Sequence, residues 1–393
     1  MKKILLILVL FFICINVKAL DINSRNAILV NLNTNRVVYE KEKDEKVSIA
    51  SLQKILTAIV AIENIEDLNE KVIIDRSKIS DIAYDVYTIG LKDNEELTYY
   101  DLLEMTILKS AGDAAKYLAL SVSSSEDEFA NLVNEKVKEL GLENTVFKDP
   151  IGLERDGQYS TASDVEKVLE YALKNKDFKE IFTTSKYKTT DNEFEFNGPR
   201  EAFKDMDASY IIGAKTGYTS KAGNCLASYI INGKEEFILV TLNARENKSQ
   251  HFVDQKTMMD YYIENYTLKK ILRKNDLFVK VTSTFKEEIN IINEEDIYYY
   301  VKKDSKISYK YKGINKVNTK HKNGDLLGKY YVYEDDSIIY EKDIYLNKDI
   351  GIYIPVKIRY ILFGTALVII ILLILRVINK KRFLYKKYWK III

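Results

Sequence analysis

A chain of 393 residues with 59 Lys and Arg against 58 Asp and Glu carries a formal net charge of +1. That length holds two domains and at least one full core, and the even balance removes the electrostatic case for a nucleic-acid partner. Two cysteines, two histidines and the lack of any ligand cluster or glycine-rich phosphate loop leave no motif for a metal or an organic cofactor.

In chain order, Met1-Lys2-Lys3 precedes an apolar run from Ile4 to Ile15 and a small-residue cleavage pattern at Val17-Lys18-Ala19. Residues 1–19 therefore read as a secretory signal cut after Ala19. Its removal leaves Cys225 as the single thiol, flanked by Leu226 and Ala227 and read as a buried structural residue. Ala27 to Asn31 and Asn33 to Tyr39 predict two strands about an Asn/Thr turn.

A helix follows through Ser48 to Ile62, and it carries the pair Ser51 and Lys54. Residues three apart share a helical face, so the Lys54 amine can reach the Ser51 hydroxyl. A serine hydroxyl needs a neighbouring base before it attacks, and lysine serves only where burial or nearby cations favour its neutral form. The apolar neighbours of Lys54 suit that condition.

Helical spacing recurs between Leu102 and Leu120 around a break at Ser110-Ala111-Gly112, and again from Glu126 to Leu140, stopped by Gly141. Ser160 and Asp164 read as caps of a helix over Val165 to Leu173. Strand patterns return at Ile211 to Gly217, Cys225 to Ile231 and Glu236 to Leu242, and a helix from Asp254 to Tyr266 closes the region. Strands at both ends with helices between predict an α+β domain over 20–266, its antiparallel sheet formed by joining the two ends. Period-two segments over 267–350 predict a small all-β domain.

Residues 358–378 are apolar over about 20 positions, the length that crosses a bilayer core. The tail 379–393 is rich in Lys, Arg, Tyr and Trp, which marks a cytoplasmic end at the headgroup zone. This organisation predicts an exported chain held in the cell membrane by one C-terminal span.

Three motifs appear in order: Ser51-Leu52-Gln53-Lys54, Ser110-Ala111-Gly112 and Lys215-Thr216-Gly217. Together S-x-x-K, a second serine motif and K-T-G mark penicillin-binding proteins and class A β-lactamases. Flanking segments Asp149-Pro150-Ile151-Gly152-Leu153, Tyr159 to Asp164 and Ala222-Gly223-Asn224-Cys225-Leu226 narrow the match. From about Ala27 to Tyr266 the chain resembles the low-molecular-mass penicillin-binding proteins of the serine-type D-alanyl-D-alanine carboxypeptidase family. Asn323 to Lys329 extends the likeness to that family's C-terminal domain.

The resemblance implies a transpeptidase-like fold that works without a metal or cofactor. It implies catalytic roles for three residues: Ser51 as nucleophile, Lys54 as general base and Ser110 as proton relay to the leaving amine. Lys215 and Thr216 would bind the substrate carboxylate, Gly217 would admit the substrate backbone, and the N–H groups of Ser51 and Tyr218 would form the oxyanion hole. The implied partners are a peptidoglycan stem peptide and β-lactams, and the implied reaction is removal of the terminal D-alanine. A D,D-endopeptidase or a wall-binding protein with a degenerate site is the alternative. Two departures motivate it. Gly112 stands where the family places asparagine, with Asp113 as a possible substitute, and Gln250-His251-Phe252 lacks the usual arginine, with Arg245 six residues upstream.

Overall fold

The computed structural model describes residues 20–84, 86–284, 286–351 and 356–389. The expected signal segment 1–19 lies outside the described residues. The chain divides into two compact units, Met1–Asn265 and Tyr266–Ile393.

The first unit begins with strands β1 (Asn26–Asn31) and β2 (Arg36–Lys41), the expected hairpin. A 3₁₀ turn over Ala50–Gln53 leads into α1 (Lys54–Asn64), so Ser51 lies in the turn and Lys54 opens the helix proper. The small hairpin β3 (Lys71–Ile73) and β4 (Glu96–Thr98) precedes α2 (Tyr99–Leu108). Thr98 and Asp101 start α2 as a reciprocal cap, the side chain of each accepting from the other's backbone amide, which satisfies two orphan donors. The expected break follows: Ser110 takes φ +61°, and α3 (Gly112–Val122) begins two residues on.

Helix α4 (Glu126–Glu139) ends at Gly141, whose φ of +66° stops it. Helix α5 (Ala162–Ala172) starts earlier than expected, because Thr161 is the capping residue and accepts from the Asp164 amide. The Asp164 carboxylate instead receives the Thr145 hydroxyl at 2.8 Å. Helix α6 (Lys176–Thr183), capped by Asn175, was not legible as a separate element. A second small hairpin, β5 (Lys186–Lys188) with β6 (Glu195–Asn197), precedes the last strands β7 (Ile211–Thr219), β8 (Gly223–Asn232) and β9 (Glu235–Ala244). Helix α7 (Gln250–Asn265) closes the unit and takes in His251.

The sheet runs in the order β2-β1-β9-β8-β7, all antiparallel, so the two chain ends join as expected. Cross-strand register places Ile28 against Val240 and Val30 against Ile238. These face the helical core with Ala227 and Tyr229 from β8 and Val165 and Leu169 from α5. Alternate residues point to α7: Phe237 meets Tyr262 at 4.8 Å between ring centroids. The buried Gln255 amide donates to the carbonyls of Leu226 and Leu239. Two covered faces explain why β1 is buried along its whole length. Cys225 is buried and free, and burial pushes its thiol up to about 12, which makes it inert.

The second unit contains β10 (Tyr266–Leu272), β11 (Leu277–Ser283), β12 (Glu288–Ile292), β13 (Ile297–Lys302), β14 (Ile307–Gly313), β15 (Lys316–Val317), β16 (Leu326–Glu334) and β17 (Ser337–Tyr345). They form small sheets β10-β13, β12-β11-β15 and β14-β16-β17 around Val281, Val301, Val332 and their neighbours. Burial alternates along β12 and β16, which is the period-two pattern the sequence predicts. Helix α8 (Val356–Trp389) ends the described chain, and its stretch Val356–Arg382 is long and apolar enough to cross a membrane.

Candidate active site

Ser51 and Lys54 meet as their spacing predicts: the Lys54 Nζ donates to Ser51 Oγ at 3.1 Å. The amine is buried, and burial lowers its pKa to about 7, against the opposing pull of the Asp149 and Asp113 carboxylates. Near neutral pH much of the Lys54 population is therefore the free base.

Its second partner is the carbonyl of Ile151, 97 residues away in sequence. That carbonyl is held by a loop wound about one carboxylate. Asp149 accepts from the amides of Ile151 at 2.9 Å, Gly152 at 2.8 Å and Leu153 at 3.1 Å, and from Arg155 Nε at 3.1 Å. Gly152 takes φ +89°, and a Cβ there would stand 2.5 Å from the Ala50 carbonyl oxygen, so only glycine lets the loop touch the Ser51 turn.

Strand β7 is one edge of the sheet, opposite β2. Its Gly217 also faces the Ser51 turn: a Cβ would lie 3.0 Å from the Ser51 amide nitrogen and 3.0 Å from the Ile49 carbonyl oxygen. This glycine thus permits a close approach of β7 to the nucleophile's own backbone. Lys215 is fully buried and donates to the Thr216 carbonyl at 2.9 Å. Burial and then the nearby Lys54 push its pKa well below the ordinary lysine range. Two buried amines this close favour one shared positive charge over two. Alternation puts Thr216 and Tyr218 on the opposite face of β7 from Lys215 and Gly217, and Tyr218 is exposed.

The second motif is built differently. Ser110 Oγ is buried with no hydrogen-bond partner, which leaves it free to receive one. Gly112 donates its amide to the Tyr87 carbonyl at 2.8 Å, and a Cβ at 112 would meet Val86 Cγ1 at 2.4 Å and Ile151 Cγ2 at 3.1 Å. The volume a side chain would use is therefore occupied by Val86. Asp113 does not supply the missing amide, because its carboxylate accepts the amides of Ile89, Gly90 and Leu91.

The other departure resolves in the same way. His251 is buried in the first turn of α7, and burial lowers its pKa to about 4, so it is neutral at physiological pH. Arg245 is committed to the β7–β8 turn, donating to the carbonyls of Ser220 at 3.1 Å and Lys221 at 2.5 Å. Neither replaces the family's arginine.

Two residues that sequence reasoning did not assign shape the cleft. Asp149 holds the Ile151 carbonyl, and Glu154 accepts from Ser48 Oγ and Thr219 Oγ1, each at 2.6 Å, tying the turn before Ser51 to the end of β7. The flanking segment that contains Asp149 was visible in the sequence, but nothing there indicated which atom would reach Lys54. Among the described residues no group of three His, Cys, Asp or Glu side chains could hold a metal ion.

A family described as D-alanyl-D-alanine carboxypeptidase matches residues 14–246, and one described as penicillin-binding protein 5, C-terminal domain, matches residues 266–351. The chain is 28% identical over 336 residues to D-alanyl-D-alanine carboxypeptidase DacF of Bacillus subtilis, covering 83% of this chain and 85% of the relative. It is 30% identical over 242 residues to the D-alanyl-D-alanine endopeptidase of Escherichia coli, covering 60% of this chain and 75% of the relative. Penicillin-binding protein 5 from Haemophilus influenzae shares the fold, with a TM-score of 0.67 and 21% identity, over 84% of this chain and 98% of that one. The Streptomyces K15 DD-transpeptidase aligns with a TM-score of 0.57 at 26% identity, over 61% of this chain and 97% of that one. With its paired Ser51 and Lys54 and its K-T-G edge strand, the chain belongs to the D-alanyl-D-alanine carboxypeptidase family.

Proposed function

We propose that this protein is an exported, membrane-anchored serine D,D-carboxypeptidase that removes the terminal D-alanine from peptidoglycan stem peptides and is acylated by β-lactams. The observation that carries this reading is the Lys54 amine, buried, lowered to about 7 and 3.1 Å from Ser51 Oγ. The Ser51 oxygen attacks the carbonyl of the penultimate D-alanine while its proton passes to neutral Lys54. The N–H groups of Ser51 and Tyr218 stabilise the oxyanion, each donor contributing about 3 kcal/mol.

The C–N bond then breaks and D-alanine leaves with a proton relayed through Ser110 from Lys54. An ester on Ser51 remains. Water, deprotonated by Lys54, hydrolyses it and restores the serine. Lys215 and Thr216 receive the substrate carboxylate as the peptide lies along the open edge of β7. Helix α8 spans the membrane and the basic tail 379–393 stays on the cytoplasmic side.

Labelling with a fluorescent penicillin, together with D-alanine release from a pentapeptide, tests the chemistry. The wild type should label and release D-alanine, and Ser51→Ala should do neither. No covalent label on the wild type would overturn the acyl-enzyme reading. Deleting Tyr360 to Ile393 should release the protein from the membrane fraction, and retention would count against the span.

A second reading, D,D-endopeptidase, is favoured by the likeness to the Escherichia coli endopeptidase. Cleavage of cross-linked muropeptide dimers without D-alanine release would select it.

A further inference from the structure

The far end of α1 from Lys54 opens into a cavity of about 780 Å³, walled by α1, α2, α6 and the segments that follow α1 and α6. Ile62 lines it, so it lies about 12 Å along the helix axis from Lys54, at a rise of about 1.5 Å per residue. The lining is strongly acidic: Glu66, Glu104, Asp177 and Glu180 all contribute. Glu66, Asp177 and Glu180 are exposed and form no ion pair among the described residues. The one lysine in the lining, Lys186, is already paired with Glu195.

Glu104 is the feature a solvated acidic surface does not account for. It is only 1% exposed, yet its Oε2 is buried without a hydrogen-bond partner. The hydroxyls of Thr184 and Tyr100 hydrogen-bond the carboxyl and favour its charged form, while Glu180 and Asp101 add negative potential. Burial pushes its pKa up to about 8, so it is mainly protonated at neutral pH. A buried carboxyl oxygen left without a partner is costly, and a cation is a partner that relieves it. Tyr100 and Tyr187, whose ring centroids are 6.0 Å apart, also line the cavity and offer faces to an ammonium group.

The size of the cavity and the dispersal of its carboxylates argue against a single metal ion, and no metal-holding trio exists among the described residues. The same dispersal suits several ammonium groups along a flexible chain. We propose that this cavity binds an extended aliphatic polyamine, with Glu104 at its floor and Glu66, Asp177 and Glu180 around its rim.

Spermidine is the probe, titrated calorimetrically into the full-length protein at pH 7 and fixed ionic strength. Saturable one-to-one binding is expected, with proton release as Glu104 ionises. Glu104→Gln should weaken it roughly tenfold and abolish the proton release, since about 1.4 kcal/mol, one charged partner, corresponds to that factor. The exposed double variant Asp177→Asn/Glu180→Gln should weaken it similarly without a change in melting temperature, which keeps the test valid if Glu104→Gln folds poorly. Equal heats for spermidine and for magnesium at matched ionic strength would overturn the proposal, as would affinity unchanged in the double variant. Binding of a trilysine peptide but not spermidine would overturn it in favour of a basic peptide ligand.

Discussion

The two sides of the Ser51 cleft solve the same problem in different ways. On the first-motif side, Lys54 is aimed by a backbone carbonyl, Ile151, whose loop is wound on the Asp149 carboxylate. On the second-motif side the family's amide is gone, and Val86 and Ile151 crowd the position instead, beside a Tyr87 carbonyl already bonded to the Gly112 amide. One side keeps its polar contacts through main-chain atoms that substitution cannot easily remove. The other exchanges a polar reach for apolar packing, and Ser110 alone remains as its hydroxyl. The contrast explains how the nucleophile and base stay in register while the asparagine is absent.

Removing Lys54 attacks the first side directly. Lys54→Ala should slow acylation by a fluorescent penicillin about a thousandfold or more, the scale of losing a unit of a coupled catalytic group. A rate near wild type would show that another base serves.

Acidity probes the same amine without mutation. Because its pKa is lowered to about 7, the neutral form disappears below that pH and the acylation rate should fall about tenfold per unit from pH 7 to pH 5. The sign for stability runs the same way. The native state releases the Lys54 proton at a lower pH than the unfolded chain, so this group favours folding increasingly as pH rises from about 7 toward the ordinary lysine range. A flat acylation profile over that interval would place the base elsewhere.

Gly112→Ala tests the second side. Its Cβ would land 2.4 Å from Val86 Cγ1, and overpacking of this kind costs about 1–3 kcal/mol. Adding Val86→Ala should recover most of that loss in thermal unfolding, since the two positions compete for one volume. No recovery in the double variant would show that the glycine is required for its backbone and not for the space. By the same logic Gly112→Asn alone should not restore a family-like site.

The smallest effect is expected at Arg155, which is half-exposed and pairs with Asp149 at 3.0 Å. Arg155→Ala should cost at most about 1 kcal/mol, because solvent screens the pair. A larger loss, or slower acylation, would mean that the Ile151 carbonyl is positioned by the guanidinium and not by the three amides.

Much of this protein is local in origin and was readable from the chain. The Ser51/Lys54 spacing, the break at Ser110 to Gly112 and the alternating β unit follow from periodicities of helix and strand, which depend on near neighbours, and the joined sheet follows from strands lying at both ends of the region. The start of α5 was misread because Thr161, Ser160 and Asp164 are all competent caps and only packing selects one. Arg245 and Asp113 were open as substitutes for missing family contacts. Their partners, the carbonyls of Ser220 and Lys221 and the amides of Ile89 to Leu91, lie 20 or more residues away.

The remaining features are long-range. That Lys54 answers to Ile151, that Gly217 makes room for the Ser51 turn, that Val86 fills the space at Gly112 and that the Glu104 Oε2 is left without a partner depend on which loops the fold brings together. Hydrogen bonds and excluded volume act over a few ångströms, whatever the separation along the chain. Motif spacing therefore named the reacting pair, and tertiary packing set how it is held.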